Sequence, residues 1–476
     1  MARLFGTDGV RGIANVELTC ELAYRLGQAA ATFLGKTIVV GKDTRLSGDM
    51  LEAAMVAGIM SAGGTALVAG VIPTPGVALL VREMRAAGGA VISASHNPPE
   101  YNGIKLFDAQ GFKLPDAVED DIEAFIAAGG LEGQVAEARS VADAAARTSA
   151  VEGAPADALT YIASEINMPS GGSLGVTVPL QQACEIYIDH VVRSIQNQGL
   201  DFSGLSIALD TGHGASALTS PEALRRLGAE VTVINDDFNG MDINVQCGST
   251  HLEPLRALMA ESGADVGIAH DGDADRVMIM CPDGTVVDGD MVEAVCALDM
   301  RERGVLAGDA VVSTVMANFG FVRAMREAGI EVVQTKVGDR YVLEAMREHG
   351  YSIGGEQSGH MILLEHNSTG DGLMTACQFL AAVLRSGKPV GEAIRVMEKM
   401  PQTLINVRVA DKHAVDGSAE VAAAVAAAEE ALGDDGRVLL RPSGTEPVVR
   451  VMVEAVDPAA AREHARAIAA VVEACV

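Results

Sequence analysis

A serine stands in a polar, turn-rich segment that follows an apolar run. From Val91 to Lys105 the segment reads Val-Ile-Ser-Ala-Ser-His-Asn-Pro-Pro-Glu-Tyr-Asn-Gly-Ile-Lys. A serine that leaves a strand into a loop constrained by proline and glycine is held outward, where its hydroxyl can accept and return a phosphoryl group. An Asn-Pro turn beside a serine is more often ordinary turn chemistry, so this segment alone leaves both interpretations open. Ser95 is the candidate nucleophile.

Three aspartates alternate with small residues in a second loop, which also follows an apolar run. Asp271, Asp273 and Asp275 offer three hard oxygen ligands, a set that favours Mg²⁺. An EF-hand calcium loop is excluded, because its sixth position would be Gly and is Arg276, and its twelfth would be Glu and is Pro282. A solvated acidic turn is the alternative, but carboxylates that repel one another need a cation to lie so close.

A third loop, Gly354–His360, reads Gly-Gly-Glu-Gln-Ser-Gly-His. Its small residues let Glu356, Ser358 and His360 approach a hydroxylated ligand. A fourth loop reads Arg-Pro-Ser-Gly-Thr-Glu-Pro over residues 441–447 and offers a guanidinium, hydroxyls and backbone N–H groups, which together suit a phosphate dianion. The candidate phosphate ligands are Arg441, Ser443, Gly444, Thr445 and Arg450.

The formal net charge of −29 argues against nucleic acid and anionic membranes as partners. An anionic ligand would therefore need a local excess of cations. The four loops supply one, since these cations lie inside or beside them: Arg11, Lys105, Arg276, Arg340, Arg441 and Arg450. A cleft lined in this way can focus a positive potential.

Strand-like and helical patterns alternate along most of the chain. Thr37–Gly41 predicts a strand, and helices closed by Gly228 and Gly329 precede further apolar strands. The pattern predicts an α/β fold, with three similar α/β domains whose sheets are mixed and largely parallel and whose active loops lie at the carboxyl ends of strands. Residues from about 403 onward predict a C-terminal α+β domain instead.

A chain of 476 residues is too long for one domain and is expected to form several. We expect domains at 1–150, with the serine loop, at 151–255, at 256–370, with the metal loop (Asp271–Asp275) and the Gly354–His360 loop, and at 371–476, with the phosphate loop. An extended linker or insertion, about residues 136–181, precedes the second. The start of the chain lacks a signal-peptide pattern and its cysteines are scattered, which favours a cytoplasmic protein with reduced thiols.

In this order, the four loops resemble those of the α-D-phosphohexomutase superfamily, over nearly the whole chain. Further stretches look like its bacterial phosphoglucosamine mutase branch: Phe5–Gly12, Cys247–His251, Thr335–Arg340 and Gly355–His360. Gln357 is the residue that favours an amino sugar within this resemblance. The resemblance implies a heart-shaped arrangement of four domains around a central cleft.

The resemblance also implies a mechanism. Phosphorylated Ser95, itself a metal ligand beside Asp271, Asp273 and Asp275, would exchange a phosphoryl group with a hexosamine monophosphate through a 1,6-bisphosphate that turns end over end. One Mg²⁺ per chain and a hexose 1,6-bisphosphate activator are expected, and the protein would be a monomer or homodimer with small-molecule sugar phosphates as its only partners.

Site residues follow from the same resemblance. Lys105 and Arg11 would lie near the transferring group, and His96 and His360 compete with them as the general acid or base. Arg276, Glu356, Ser358 and His360 would bind the sugar, and Gly354–His360 is called the sugar loop below.

Two departures from the commonest pattern of the superfamily are visible, His270 and Ala274, the latter in place of a glycine. We expect position 274 not to require a positive φ. Three alternatives stay open: a phosphoglucomutase or phosphomannomutase of the same superfamily, a non-catalytic sugar-bisphosphate sensor, and a Mg²⁺-dependent phosphatase.

Overall fold

The computed structural model describes residues 3–6, 8–137, 140, 168–409, 415, 417–442 and 447–475. The chain packs as two compact units. The first contains Met1–Thr314 and Val333–Ile394, and the second contains Val315–Val332 and Arg395–Val476. Most of the predicted linker lies outside the described residues.

The first sheet carries the serine segment. Its elements in chain order are β1 (Val10–Ile13), α1 (Cys20–Ala29), β2 (Thr37–Lys42), α2 (Gly48–Ser61), β3 (Thr65–Val71), α3 (Thr74–Glu83), β4 (Gly88–Ile92), β5 (Tyr101–Phe107), α4 (Asp116–Ala127) and β6 (Thr177–Pro179). The strand order is β1-β5-β4-β2-β3-β6, with β2 parallel to β3 and β4, and β5 antiparallel to β4 and β1. Ile38, Val39 and Val40 of β2 are all fully buried, as expected for a strand covered on both faces.

The second sheet carries the aspartate loop. Its elements are α5 (Ala183–Gln196), β7 (Ser206–Asp210), α6 (Ser220–Arg226), β8 (Glu230–Ile234), α7 (Glu253–Ser262), β9 (Val266–His270), β10 (Val277–Met280) and β11 (Val286–Val287). The strand order is β11-β10-β9-β7-β8, with β7 parallel to β8 and β9. This sheet contains strands from both sides of the boundary predicted at residue 255, because the local pattern identifies strands but not their pairing.

The third sheet carries the sugar loop. The chain continues through α8 (Gly289–Glu302), β12 (Ala310–Thr314), α9 (Phe319–Glu327), β13 (Glu331–Thr335), α10 (Asp339–His349), β14 (Ile353–Gly355), β15 (Met361–Leu363), α11 (Gly372–Ser386) and α12 (Val390–Ala393). The strand order is β13-β12-β14-β15, with β12 parallel and β15 antiparallel to β14.

The second unit contains α9 and a fourth, antiparallel sheet. Its remaining elements are β16 (Gln402–Arg408), α13 (Ala419–Leu432), β17 (Gly436–Pro442), β18 (Val448–Ala455) and α14 (Pro458–Ala474). β18 lies between β16 and β17, and both helices contribute to the same apolar core. The predicted fold class, three α/β domains with mixed sheets and a C-terminal α+β domain, is confirmed.

Two local predictions are also confirmed, the glycine-terminated helices and the position of the loops at the carboxyl ends of strands. Gly228 follows α6 with a φ of 97° and Gly329 follows α9 with a φ of 70°, so each helix ends as its glycine predicts. The serine, aspartate and sugar loops follow β4, β9 and β14, which places each at the carboxyl end of a strand. All seven cysteines are free. In the part of the chain that the structure describes, no helix has the length and apolarity that crossing a membrane requires.

Candidate active site

Ser95 lies three residues beyond β4, in the left-handed region with a φ of 52°. Its side chain is buried, and its Oγ donates a hydrogen bond to Asp271 Oδ2 at 2.5 Å. Its backbone N–H donates to Ser93 Oγ at 2.9 Å, which fixes the turn. The predicted nucleophile is therefore in direct contact with the predicted metal loop.

Two side chains hold the serine segment by its backbone carbonyls. Arg45 donates from Nη2 to Ser95 O at 2.9 Å and to Asn97 O at 2.8 Å, while its Nε pairs with Asp43 Oδ2 at 2.9 Å. Asn244 Nδ2 donates to Ser95 O at 2.9 Å. Because Arg45 and Asp43 are both buried, this clamp leaves the serine little freedom to move.

The three aspartates of the metal loop lie together as predicted. Asp271, Asp273 and Asp275 are all buried, and each offers a ligand oxygen within 4.8 Å of the others. Asp273 Oδ1 is buried with no hydrogen-bond partner among the described residues. Burial raises the pKa of Asp271 well above its usual range, and the charges of Asp275 and Asp273 raise it further. A buried set of mutually repelling oxygens fits a hard divalent cation.

The expectation for Ala274 is wrong. Its φ is 53°, and the residue is buried between Asp273 and Asp275. Its N–H donates to Asp271 O at 3.0 Å, while its own carbonyl accepts from Gly372 N at 3.0 Å. The loop turns back at this residue, and hydrogen bonds on both sides keep the alanine in a conformation that costs it energy.

Buried ammonium groups balance part of this negative charge. Lys105 Nζ lies 3.0 Å from Asp273 Oδ2, 3.2 Å from Asp275 Oδ2 and 3.2 Å from Asp8 Oδ2. Lys113 Nζ lies 2.5 Å from the other oxygen of Asp8. Burial lowers the pKa of Lys105, but the carboxylates outweigh it and raise the pKa well above its usual range. Lys105 is therefore a cation here.

The two candidate histidines differ in charge. His360 Nδ1 lies 3.5 Å from Asp275 Oδ1 and its Nε2 lies 3.3 Å from Asp339 Oδ2. Burial lowers the pKa of His360, but both carboxylates raise it above the ordinary value, so this ring favours the protonated form. His96 Nδ1 lies 3.4 Å from Ser95 Oγ, and burial, with Arg276 and Arg11 nearby, lowers its pKa to about 4. His96 is neutral at pH 7.

Arg11 and Arg276 lie at the same site. Arg11 on β1 pairs with Asp8, and in the sheet its register partner is Gly103 on β5. Arg276 Nε lies 3.8 Å from Asp275 Oδ1, and an antiparallel bridge joins Arg276 to His360. This bridge ties the metal loop to the sugar loop.

The sugar loop presents two of its predicted residues together. Glu356 Oε1 accepts from Gly338 N at 3.1 Å, and Ser358 Oγ donates to Glu356 Oε2 at 3.5 Å. Both side chains are half-buried. His270 differs from these residues, since it is fully buried with its two ring nitrogens at Arg276 O and Ser220 Oγ, and it supports the loop structurally.

Part of the predicted phosphate site is described, in the second unit. Arg441 on β17 and Arg450 on β18 are register partners across the strand pair. Burial lowers the pKa of Arg441, and the charge of Arg450 lowers it further. Ser443, Gly444 and Thr445 lie outside the described residues.

Sequence reasoning missed Arg45, Asn244 and Thr74. Thr74 Oγ1 donates to Asp273 Oδ2 at 2.6 Å, and its N–H donates to Asp273 O at 2.9 Å. A signal existed for Arg45, because Asp-Thr-Arg follows the apolar strand β2 as the other polar loops follow theirs. Nothing comparable marks Asn244 or Thr74.

Models of known protein families match most of the chain. Four family models match in order: the phosphoglucomutase/phosphomannomutase alpha/beta/alpha domain I at residues 2–132, domain II at 185–284, domain III at 288–400 and the C-terminal domain at 404–471. The metal loop falls within the match to domain II.

Named relatives are similar over their full length. The phosphoglucosamine mutase of Heliobacterium modesticaldum is 48% identical over 474 residues, covering 98% of this chain and 99% of the relative. That of Streptomyces coelicolor is 49% identical, covering 98% and 97%.

Solved structures share the fold at low identity. A phosphoglucomutase/phosphomannomutase family protein from Burkholderia thailandensis matches with a TM-score of 0.76 at 22% identity, over 99% of this chain and 97% of that one. An N-acetylphosphoglucosamine mutase from Aspergillus fumigatus, solved in complex with GlcNAc-6P and magnesium, matches with a TM-score of 0.66 at 18% identity, over 99% and 96%.

Proposed function

The chain belongs to the phosphoglucomutase/phosphomannomutase family, and from that premise we propose that it is a phosphoglucosamine mutase, which interconverts glucosamine 6-phosphate and glucosamine 1-phosphate. One observation carries the chemistry: Ser95 Oγ lies 2.5 Å from Asp271 within a cluster of three buried aspartates. A hydroxyl in that position can be phosphorylated, and it can return the phosphoryl group beside a metal ion.

The reaction moves a phosphoryl group between Ser95 and two sugar oxygens. In the first half, the free hydroxyl of the sugar monophosphate attacks phosphorus of phosphorylated Ser95. A P–O bond to the sugar forms, the P–O bond to Ser95 Oγ breaks, and the sugar hydroxyl loses its proton. In the second half, Ser95 takes the other phosphate of the 1,6-bisphosphate, so the protein ends phosphorylated again and no water is consumed.

Asp271, Asp273 and Asp275, with a phosphate oxygen on Ser95, would hold Mg²⁺, which supplies positive charge against the transferring group. Lys105 and Arg11 add fixed cations on the same side of the site. A hexose 1,6-bisphosphate serves as activator, because it can phosphorylate a serine that has lost its phosphoryl group.

His96 and Lys105, which differ in ionisation, act on the reacting oxygens in different ways. His96 is neutral and lies 3.4 Å from Ser95 Oγ, so it can accept a proton from a reacting hydroxyl. Lys105 keeps its proton, because three carboxylates raise its pKa well above the usual range, so it stabilises the leaving oxygen as a fixed cation that donates a hydrogen bond. His360 is engaged by Asp275 and Asp339 and is assigned to the sugar-binding side.

Substrate binding uses the remaining predicted residues. Arg441, Ser443, Gly444, Thr445 and Arg450 would bind the phosphate that is not transferred. Arginines placed directly opposite one another on paired strands repel, and a bound phosphate would relieve that repulsion. Arg276, Glu356, Ser358 and His360 would read the sugar hydroxyls in both orientations of the intermediate.

We also propose that sugar phosphates are the only partners that this activity needs, and that the enzyme works in the cytoplasm as a monomer or homodimer. Its dispersed, free cysteines fit a reducing compartment.

The test is Mg²⁺-dependent interconversion of the two glucosamine phosphates by protein primed with glucose 1,6-bisphosphate, beside glucose and mannose phosphates. We expect the amino sugar to be preferred and Ser95→Ala to abolish turnover. Faster turnover of glucose or mannose phosphates would move the assignment within the family. Release of free phosphate would indicate a phosphatase, and binding without turnover would indicate a sensor.

A further inference from the structure

Two acidic side chains lie fully buried near the start of α8, against the sugar loop. They are Asp290 and Glu293. Gly289 N donates to Gln357 O at 3.1 Å, and Gln357 Nε2 donates to Asp290 Oδ2 at 3.1 Å. The start of α8 therefore holds both the backbone and the side chain of Gln357.

The backbones of α8 and the sugar loop approach each other so closely that no side chain fits between them. A Cβ on Gly289 would lie 2.0 Å from Glu356 O, so only glycine permits this approach. On the other side of the loop, Gly359 has a φ of 88°, and a Cβ there would lie 2.1 Å from Val277 O. Backbone atoms on both sides thus fix the position of Gln357.

One negative charge belongs to the acidic pair. No described residue meets full hydrogen-bond geometry with either carboxyl oxygen of Glu293, although the Ser313 hydroxyl lies near enough to lower its pKa slightly. Burial raises the pKa of Glu293 well above its usual range, and Asp290 raises it further. Glu293 therefore keeps its proton at neutral pH, and we assign the charge of the pair to Asp290, whose Oδ2 accepts from the Gln357 amide near the positive end of the helix dipole.

We propose that Asp290 is a positioning residue that fixes the amide orientation of Gln357 and thereby favours a sugar with an amino group. An ionised carboxylate only accepts hydrogen bonds, so the amide must turn its NH₂ toward Asp290. A flipped amide would place two acceptors against each other. This inference rests on the function proposed above.

The orientation of the amide decides which substituent suits the loop. With its nitrogen bound to Asp290, Gln357 offers its carbonyl oxygen, which has no hydrogen-bond partner among the described residues. A protonated amino group has donors and no acceptor, so it needs such an acceptor. A hydroxyl can donate or accept and tolerates either orientation. A fixed acceptor therefore gains more for glucosamine phosphate than for glucose phosphate.

The test compares kcat/KM for glucosamine 6-phosphate and glucose 6-phosphate in the primed enzyme. Asp290→Asn keeps the shape and removes the charge, so Gln357 can flip and present its NH₂ to the sugar. We expect the preference for glucosamine 6-phosphate to fall about tenfold or more, the scale of one charge-assisted hydrogen bond. Gln357→Glu, which sets two carboxylates against each other, should lose the preference as well.

A rescue separates positioning from general damage. In the double variant Asp290→Asn with Gln357→Glu, the new amide at 290 can donate to the new carboxylate at 357, which still has an acceptor oxygen for the sugar. We expect the preference to recover to within about fivefold of wild type, because a donor–acceptor pair is restored. Glu293→Gln, matched to a protonated Glu293, should leave the preference unchanged.

An unchanged preference in Asp290→Asn would overturn the inference, and so would an equal loss for both sugars with no rescue in the double variant. Calorimetric binding of the two sugar phosphates gives the same comparison without turnover. If the wild type interconverts no sugar phosphate, the proposed function fails. If it prefers the amino sugar and Asp290→Asn keeps that preference, only this inference fails.

Discussion

Two clusters of buried carboxyl groups in the first unit handle their charge in different ways. The metal-loop cluster is Asp271, Asp273 and Asp275, and Lys105 reaches two of its members. The α8 pair is Asp290 and Glu293, which lies against the sugar loop. Glu293 has no ion-pair partner among the described residues, and burial holds its proton in place.

The difference follows from what each cluster must do. Burial raises the pKa of Asp275, but Lys105 and the other nearby cations outweigh it and hold this pKa well below its usual range, so the carboxylate remains available to a metal ion while phosphate arrives and leaves. Asp271 has no lysine contact and its pKa is raised, so a bound divalent cation would favour its ionised form. Protonated Glu293 carries no charge and does not attract a cation. Its neighbour Asp290 therefore remains a fixed hydrogen-bond acceptor for Gln357. The first arrangement suits reaction and the second suits recognition.

Removing the ammonium from the metal-loop cluster should have the largest effect. Lys105→Met leaves Asp8, Asp273 and Asp275 without the cation that contacts all three. We expect kcat for mutase turnover to fall by about 10²- to 10⁴-fold, because both a charge beside the transferring phosphoryl group and a hydrogen-bond donor are lost. Steady-state kinetics at saturating Mg²⁺ measures it.

The matched control is Lys388→Met, since Lys388 is exposed. Its kcat should equal that of the wild type. Near-normal turnover in Lys105→Met would show that the cluster does not need its buried cation, and the contrast with the α8 pair would disappear.

Metal removal distinguishes the clusters directly. Chelation should abolish interconversion, and added Mg²⁺ should raise the thermal midpoint of unfolding, since a ligand at 100 times its Kd stabilises by about 2.7 kcal/mol. Asp273→Asn should weaken this shift, because it removes a candidate ligand oxygen. Glu293→Gln should retain the whole shift. The inference of a metal-binding cluster fails if Asp273→Asn and the wild type respond equally to Mg²⁺ in calorimetric scans.

The sequence predicts the groups that act on a ligand better than the groups that hold them. Ser95 and the three aspartates follow strands in polar loops, where local pattern alone marks them. Arg45 is 50 residues and Asn244 149 residues from the serine whose carbonyl they bind. Backbone carbonyls are the same in every sequence, so a side chain that binds them leaves no local pattern.

The same limit applies to the α8 pair and to the backbone of the metal loop. Gln357 and Asp290 are 67 residues apart, and only the packing of helix against loop brings them together. The positive φ of Ala274 depends on contacts from Asp271 and Gly372, on both sides of the loop. An alanine at position 274 predicts a negative φ, which is the opposite of what the structure shows.

A pH series tests the proton on the α8 pair. The pKa of Glu293 is well above its unfolded value of 4.5, so the unfolded chain releases this proton at a lower pH than the folded protein. Stability from this group is complete below pH 4.5 and falls as pH rises toward the folded pKa, by about 1.4 kcal/mol per pH unit. Glu293→Gln removes this pH-dependent contribution to the free energy of unfolding, because an amide does not ionise in this range. The thermal midpoint of Glu293→Gln relative to wild type should therefore rise between pH 5 and pH 8.

Glu302→Gln is the matched control for that series, because Glu302 is exposed on the same helix. Its midpoint relative to wild type should show no such rise. A constant difference for Glu293→Gln would mean that Glu293 is ionised, and the two clusters would then carry charge in the same way.

The smallest effect is expected at Ala274, where the metal loop has a strained backbone next to carboxylates that repel one another. Ala274→Gly relieves a φ of 53°, worth about 1–2 kcal/mol, and loses about 0.4–1 kcal/mol through the greater freedom of glycine in the unfolded chain. We expect a net gain of about 0 to 1.6 kcal/mol in stability, seen as a higher thermal midpoint without Mg²⁺. The control Ala53→Gly, on the exposed face of α2, should lose about 1 kcal/mol because its helical backbone has no strain to relieve. If both variants lose stability equally, the backbone of Ala274 is not strained. Repulsion among the carboxylates would then be the only unfavourable interaction in the metal loop that a bound cation relieves.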